Sequence, residues 1–475
     1  MIKSKHTYLF SLLLAFLIIN LGACSTDKDD PIVEITVSTS DFSITMDENP
    51  SPGQIIGTVE GRTNQGKVTF SITEQNPGGA FSIDAASGEL KVEDETLFDF
   101  EINPVITGNV RVYNGDVSKF AKVTITLIDV LEDNVFEGDI YLQSQQEVND
   151  FGLQQYTHIT GDIWIGSIQN YLSDIEDLKP LRTLRTIDGD LIILYNGKLR
   201  STLGLENVSR VGGMINFLIN PVLEKVEGMQ KITSLSGSLI FNENLMLENL
   251  DGLNQITSVG KDVYFFDNPK LKNLDWMRNI SSIGGDLTLA YTGITDVNGL
   301  SNLKSLSADL IIGGNPFLKN LDGIKDLSVT IDRLSIDHNE SLTSIKELRN
   351  ITATGVVSIF GNTLLESLEG LQGLEAPLSL TITDNAALQN LEGLNNLTAV
   401  RSHFIISKNP SLKSLAGVDA LGHVESNLTI AHNYSLKDFC ELKDLLTHGN
   451  VGSFIAEYNA FNPTKQDIID GNCKL

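Results

Sequence analysis

An asparagine returns along this chain at a nearly constant interval: Asn196, Asn220, Asn244, Asn268, Asn315, Asn339, Asn362, Asn385, Asn409 and Asn433, with Thr292 standing in the one remaining place. The steps are 24, 24, 24, 24, 23, 24, 23, 23, 24 and 24 residues. Around each lies the frame Leu-x-Ile-x-x-Asn-x-x-Leu-x-x-Leu-x-Gly-Leu, complete in Leu380, Ile382, Asn385, Leu388, Leu391, Gly393 and Leu394. Eleven aligned copies make a repeat array, and the stretch 161–189 reads as a degenerate first turn. A unit this short cannot bury its own apolar side chains, so successive units must stack into a solenoid. Alternation turns Leu and Ile of the first strand inward, and the later leucines line further sides of the coil. An inward Asn can satisfy buried turn amides and carbonyls and stack on the next Asn; losing such a partner costs about 1–3 kcal/mol. At about 4.8 Å per coil the array is a rod roughly 50 Å long. No coil holds ten residues of helical periodicity, which favours a β-helix over a leucine-rich repeat with a helix in each turn.

The frame resembles the receptor L-domain, a leucine-rich right-handed parallel β-helix of surface receptors. The match covers about 190–450 and rests on the period and the Asn position, although the array is longer than the receptor modules. The solenoid is expected over 137–450, followed by a C-terminal cap over 451–475, because an open solenoid end leaves apolar residues and strand edges uncovered. Cys440 and Cys473 flank this region, and a disulfide between them is expected in an oxidising compartment, the alternative being two free thiols.

The N-terminus gives an address. Lys3 and Lys5 precede an apolar run from Tyr8 to Leu21, then Gly22-Ala23-Cys24. That run is too short for a spanning helix and has the form of a secretory signal. Leu21-Gly22-Ala23-Cys24 resembles a bacterial lipobox, which implies cleavage of residues 1–23 and lipidation of Cys24, hence a membrane partner held through acyl chains. Residues 24–32 form a short acidic tether, Ser25-Thr26-Asp27-Lys28-Asp29-Asp30 at its core, similar to those that send outer-membrane lipoproteins to the cell exterior; a plain solvated linker is the other reading.

Residues 33–134 alternate apolar and polar in seven short runs: Phe42–Thr45, Ile55–Val59, Val68–Ile72, Phe81–Ile83, Glu89–Val92, Gly108–Val112 and Ala121–Leu127. Seven strands punctuated by Gly, Pro, Asn and Asp describe a β-sandwich. Asp47-Glu48-Asn49-Pro50, the run from Phe81 to Leu90, Phe98-Asp99-Phe100-Glu101 and the closing Asp129 to Asp133 together resemble a cadherin repeat. The resemblance implies calcium held by Glu48, Asp99, Glu101, Asp129, Glu132 and Asp133. Calcium takes six to eight oxygens, and the match departs from the family at Leu131, at Glu132-Asp133 and at Asn114, so a solvated acidic end is the alternative.

Net charge argues against nucleic acid. The chain carries 34 Lys+Arg against 61 Asp+Glu, and removing residues 1–23 takes two lysines and no acid, giving 32 − 61 = −29. Phosphate binding needs clustered cations instead. No nucleophile elbow, phosphate loop or zinc-protease motif occurs, and His338 and His432, each just before a ladder Asn, read as repeat drift. An acidic column, Asp190, Asp262, Asp286 and Asp309 followed by Arg333, is the best catalytic candidate for a lyase acting on an acidic polysaccharide, against solvated charges that keep a rod soluble. Outward strand positions instead gather Ile192, Leu194, Leu218, Ile240, Tyr264, Phe266 and Ile311, a pattern that marks a recognition surface for a protein or carbohydrate unless another segment covers it. The expectation is an all-β, surface-anchored, non-enzymatic recognition protein, with the polysaccharide-degrading enzyme as the rival.

Overall fold

The computed structural model describes residues 33–100, 102–130, 133–167, 169 and 171–475. The signal segment, the tether with Cys24, Glu101 and Glu132 lie outside the described residues. The chain divides into two compact units, Met1–Leu131 and Glu132–Leu475. This boundary falls a little before the expected start at 137, because Val135–Phe136 already pairs in parallel with His158–Ile159 of the second unit.

All seven runs expected in the first unit are strands, and a further short pair, Val37–Thr39 with Gly61–Thr63, joins them. One sheet places Val117–Ile128 at its centre, parallel to Phe42–Asp47 and antiparallel to Val105–Asn114, which in turn pairs with Thr69–Asn76. Glu89–Val92 pairs with Ile55–Thr58 and Phe81–Ile83 in the second sheet. Period-two alternation decides what is buried: Ala121, Val123, Ile125 and Leu127 point into the core with Phe70, Phe81 and Phe98, while the residues between them point out. The unit is a β-sandwich.

The second unit is a parallel β-solenoid. Its long sheet runs in chain order from Ile140–Leu142 through Ile163–Gly166, Leu191–Leu194 and every later repeat to His423–Ala431, with Asn450–Glu457 added beyond it. Pairing is residue for residue: Leu334 faces Val357 and Ile336 faces Ile359 on the next strand. A second face carries short parallel strands such as Ser258–Val259, Ser282–Ile283 and Ser305–Leu306. The third carries short 3-10 turns, among them Asp251–Leu253, Asn298–Leu300 and Asp322–Ile324. The glycine of the x-Gly-Leu element belongs to this third face, where coils approach most closely. A Cβ on Gly299 would lie 1.8 Å from the Leu274 carbonyl oxygen of the preceding coil, so no larger residue fits.

Inside, the frame leucines are buried throughout, and Phe217, Phe241 and Phe265 stack at 4.7 and 4.9 Å between centroids. Such pairs add about 0.5–1.5 kcal/mol each beyond their burial. The asparagines form a ladder in two runs, from Asn196 to Asn268 and, after a break between Asn268 and Thr292, from Thr292 onward. Asn385 donates Nδ2 to the Ile359 carbonyl (2.9 Å) and to Asn409 Oδ1 (3.3 Å), which also accepts the Asn385 backbone N–H (3.0 Å). The ladder runs past Asn433 to Asn459, whose amide and backbone N–H are met by Asn462 Oδ1. The last spacing, 26 residues, holds the helix Lys443–His448. The final coil thus extends beyond 450, and the cap proper is the helix, the tail and the Cys440–Cys473 disulfide, whose Cα atoms lie 4.9 Å apart.

One acid is buried on the turn face. Glu347, 4% exposed, sits in the turn Lys346–Asn350 above Asp322 of the preceding coil. Burial, with Asp322 beside it, pushes its carboxyl above the ordinary range. A raised carboxyl contributes stability that is complete below its unfolded value and is lost as pH rises through the folded value. Glu347→Gln is therefore expected to raise stability at neutral pH. It should also flatten the decline just above the ordinary carboxylate range, read by thermal melts from pH 4 to 8; a lower melting temperature at pH 7 would refute this.

Candidate functional site

The αL turn at the end of each long strand sets the edge of the outer face. The residue before each ladder position has φ between 52° and 70°: Tyr195, Ile219, Glu243, Asp267, Tyr291, Gly314, His338, Gly361, Asp384, Lys408 and His432. Its backbone N–H donates to the next strand, as from Lys408 to the Ala431 carbonyl at 3.0 Å. Geometry, not drift alone, thus governs the position that His338 and His432 occupy, since αL strongly favours Gly and tolerates short polar residues.

The outward residues come together only in part as expected. Ile192 lies beside Trp164 and Asn216 on the flanking strands, and Leu194 beside Gly166 and Leu218. Both are buried, at 2% and 5% exposure, so neither offers a contact to a partner. The cause is local: Trp164, one strand spacing away, stands beside Ile192 and covers it. Leu218, Ile240, Tyr264, Phe266 and Ile311 are half-buried. Thr288 separates Tyr264 from Ile311, so the patch is not continuous. Its strongest feature is aromatic. The Tyr264 and Phe266 rings are parallel within 8° at 6.1 Å, and Tyr291 meets Phe266 edge-on at 5.0 Å. Burial pushes the Tyr264 phenol up. Tyr291, half exposed, leans over Gly314, where a Cβ would come within 2.6 Å of its ring. The linear pattern missed Tyr291 because its αL backbone breaks the in-out alternation near the end of the strand Leu287–Thr292.

The acidic column has a structural task. Asp190 Oδ1 accepts the Met214 N–H at 2.7 Å, Asp262 Oδ1 that of Asp286 at 3.0 Å, Asp286 Oδ1 that of Asp309 at 2.9 Å and Asp309 Oδ1 that of Arg333 at 3.1 Å. Each carboxylate ties its coil to the next. The Arg333 Nε stands 3.7 Å from Asp309.

In the first unit, Glu48 is 4% exposed and clasps two other segments. Its Oε2 accepts the Phe100 N–H and its Oε1 the Val130 N–H, both at 2.6 Å. These bonds bring Glu48, Asp99 and the end of the last strand at Asp129 to one end of the sandwich, where Asp99 Oδ1 caps the Ile102 N–H at 2.9 Å. Asn114 lies at the opposite end, at the turn between Val105–Asn114 and Val117–Ile128, and donates to Thr63 Oγ1. Asp133 belongs to the second unit. Among the described residues no three acidic, imidazole or thiol groups form a cluster able to hold a metal. Glu48, Asp99 and Asp129 are oxygen donors of the kind calcium takes, but they fill only part of six to eight positions.

Comparison with known proteins is confined to solved structures. They include protocadherin gamma B2 extracellular cadherin domains 3–6 (24% identity over 21% of this chain and 23% of that one, TM-score 0.19). Drosophila N-cadherin EC1–4 aligns at 21% identity over 22% of this chain and 28% of its own (TM-score 0.19), and the human desmocollin-1 ectodomain at 18% over 21% and 22% (TM-score 0.18). The chain therefore spans about a quarter of the length of these relatives. No family model and no curated protein matches it.

Proposed function

We propose that this chain is a surface-anchored recognition lipoprotein of the adhesion type: an acyl anchor on Cys24 at the outer membrane, a cadherin-like module, and an L-domain-like solenoid whose outer sheet face takes a protein or carbohydrate partner. The observation that carries this reading is the aromatic group Tyr264, Phe266 and Tyr291 on a broad, flat parallel sheet. The rival, a lyase on the β-helix, loses its acid column to the backbone amides of the next coil. No helix among the described residues is long and apolar enough to cross a membrane.

The test is a paired substitution, Tyr264→Glu with Phe266→Glu. Both side chains point away from the core, so the melting temperature should stay within a few degrees while retention of the partner on immobilised protein falls at least tenfold. Collapse of the fold, or unchanged retention, would remove the face from the account. Steady turnover of a polyuronate by the intact protein would restore the enzyme.

Calcium at Glu48, Asp99, Glu101, Asp129, Glu132 and Asp133 belongs to the same proposal. Glu48 contributes through whatever lone pairs its two amide bonds leave free. Titration of the intact protein with millimolar calcium is expected to release heat and raise the melting temperature, with the response lost in Asp99→Asn. A flat titration would leave Glu48 as a purely internal clasp.

A further inference from the structure

We infer that the outer face between the strands Val263–Asn268 and Leu334–Asp337 binds a neutral linear polysaccharide lying along the solenoid axis. This deepens the recognition reading above and rests on it. Two kinds of chemistry meet on this face. On one side the parallel rings of Tyr264 and Phe266 and the edge-on ring of Tyr291 offer apolar surface, against which the C–H face of a sugar ring stacks. On the other, Asp337 accepts the Ser335 hydroxyl at 2.8 Å through Oδ1, while its Oδ2 stands 3.4 Å from His338 Nδ1. That trio presents acceptors and donors to hydroxyl groups, the recognition that charge-assisted hydrogen bonds do best. Between the two, the row that joins Phe266 to Asp337 is low ground, while Thr288 and Ile311 stand in the row beside it. Ala290 and Gly313 face one another on adjacent strands, and Gly313 faces Asp337. With no side chain on Gly313, Asp337 reaches over it, and a Cβ there would stand 2.6 Å from Asp337 Oδ2.

Spacing and charge select the occupant. Outward positions repeat every strand, about 4.8 Å, close to the length of one pyranose unit, so a chain laid along the stack meets an equivalent row of side chains at each sugar. Beyond Ile311 that row is hydroxyl-rich: Ser335, Ser358 and Thr381 pair in succession across neighbouring strands. A protein partner would want a wider apolar centre than three rings. A polyanion is opposed by the chain's charge of −27 and by Asp337 within the site itself.

The experiment is native affinity electrophoresis of the intact soluble chain beginning after Cys24, in gels containing mixed-linkage β-glucan, xylan, amylose or polygalacturonate. Retardation by at least one neutral polymer is expected, none by polygalacturonate, and at least tenfold weaker retardation for Tyr291→Ala, whose half-exposed ring can be removed without opening the core. Ser335→Ala should weaken retardation more modestly, and circular dichroism melts should show both variants folded. Retardation by polygalacturonate alone, or retardation unaltered in Tyr291→Ala, would overturn the inference. If no polysaccharide is bound while Tyr264→Glu with Phe266→Glu still abolishes retention of a protein partner, the glycan fails and the recognition face stands.

Discussion

Asn339→Ala is expected to destabilise the solenoid by about 4 kcal/mol and to lower its melting temperature by roughly 5 °C. The side chain occupies the middle of the ladder. Its Nδ2 donates to the Ile312 carbonyl at 2.9 Å and to Asn362 Oδ1 at 3.3 Å, and its Oδ1 accepts the Asn315 backbone N–H at 3.3 Å and Nδ2 at 3.2 Å. Alanine would strand these groups in a site where Asn315, Asn339 and Asn362 are all fully buried. Each orphan costs about 1–3 kcal/mol. The chain contains its own control at Thr292. There the hydroxyl reaches Asn315 Oδ1 at 2.6 Å and the backbone N–H reaches the same oxygen at 3.0 Å. Threonine thus keeps the contact to the following coil while Asn268 of the preceding one turns only to the Phe241 and Phe266 carbonyls, and Asn339→Thr should lose about half as much as alanine. Urea unfolding of the three proteins would rank them, and equal stability of wild type and Asn339→Ala would mean that the ladder is ornamental.

The second large effect lies at the C-terminal end. Joining residues 33 apart removes unfolded-state freedom worth about 3–4 kcal/mol. The bond also holds a tail that covers the last coil: Phe439 N–H donates to the Cys473 carbonyl at 2.9 Å, and Phe439, Leu442, Leu445 and Ile468 are buried beneath. Reduction, or Cys440→Ser with Cys473→Ser, should lower the melting temperature by about 4–6 °C. It should also open the cap first, seen as rapid hydrogen exchange over 460–475 while Asn385 and its neighbours stay protected. Uniform loss of protection along the chain would show instead that the cap and the central coils unfold together.

Much of this architecture is visible in the letters because the repeat makes each position vote many times. Leu380, Ile382, Leu388, Leu391 and Leu394 are buried as their spacing demands, and the Asn column is the ladder. The sandwich strands follow from alternation alone. What escaped has three physical causes. Outer-face burial depends on neighbours that linear order does not reveal: Ile192 is covered because Trp164, from the degenerate first turn, stands beside it. Charge at an outward position reads as either catalytic or solvated, yet the Asp262, Asp286 and Asp309 carboxylates turn along the axis to the next backbone amide. Backbone handedness also leaves a faint trace when residues as unlike as Tyr195, Ile219 and Lys408 share an αL turn with Gly314. That turn carries Tyr291 and His338, the two residues of the candidate site that the alternation rule overlooked. Asn459 escaped for a simpler reason, since the helix Lys443–His448 lengthens the final repeat.

Native-state hydrogen exchange of the intact protein, followed peptide by peptide, tests most directly whether the coils stack as one zipped sheet. The account predicts that the backbone amides of Asn315, Asn339, Asn362 and Asn385, each bonded to the Oδ1 of the following coil, exchange only with global unfolding and with one common free energy. Fast exchange of these turns, independent of the strands beside them, would contradict it and would leave the outer face without a rigid support.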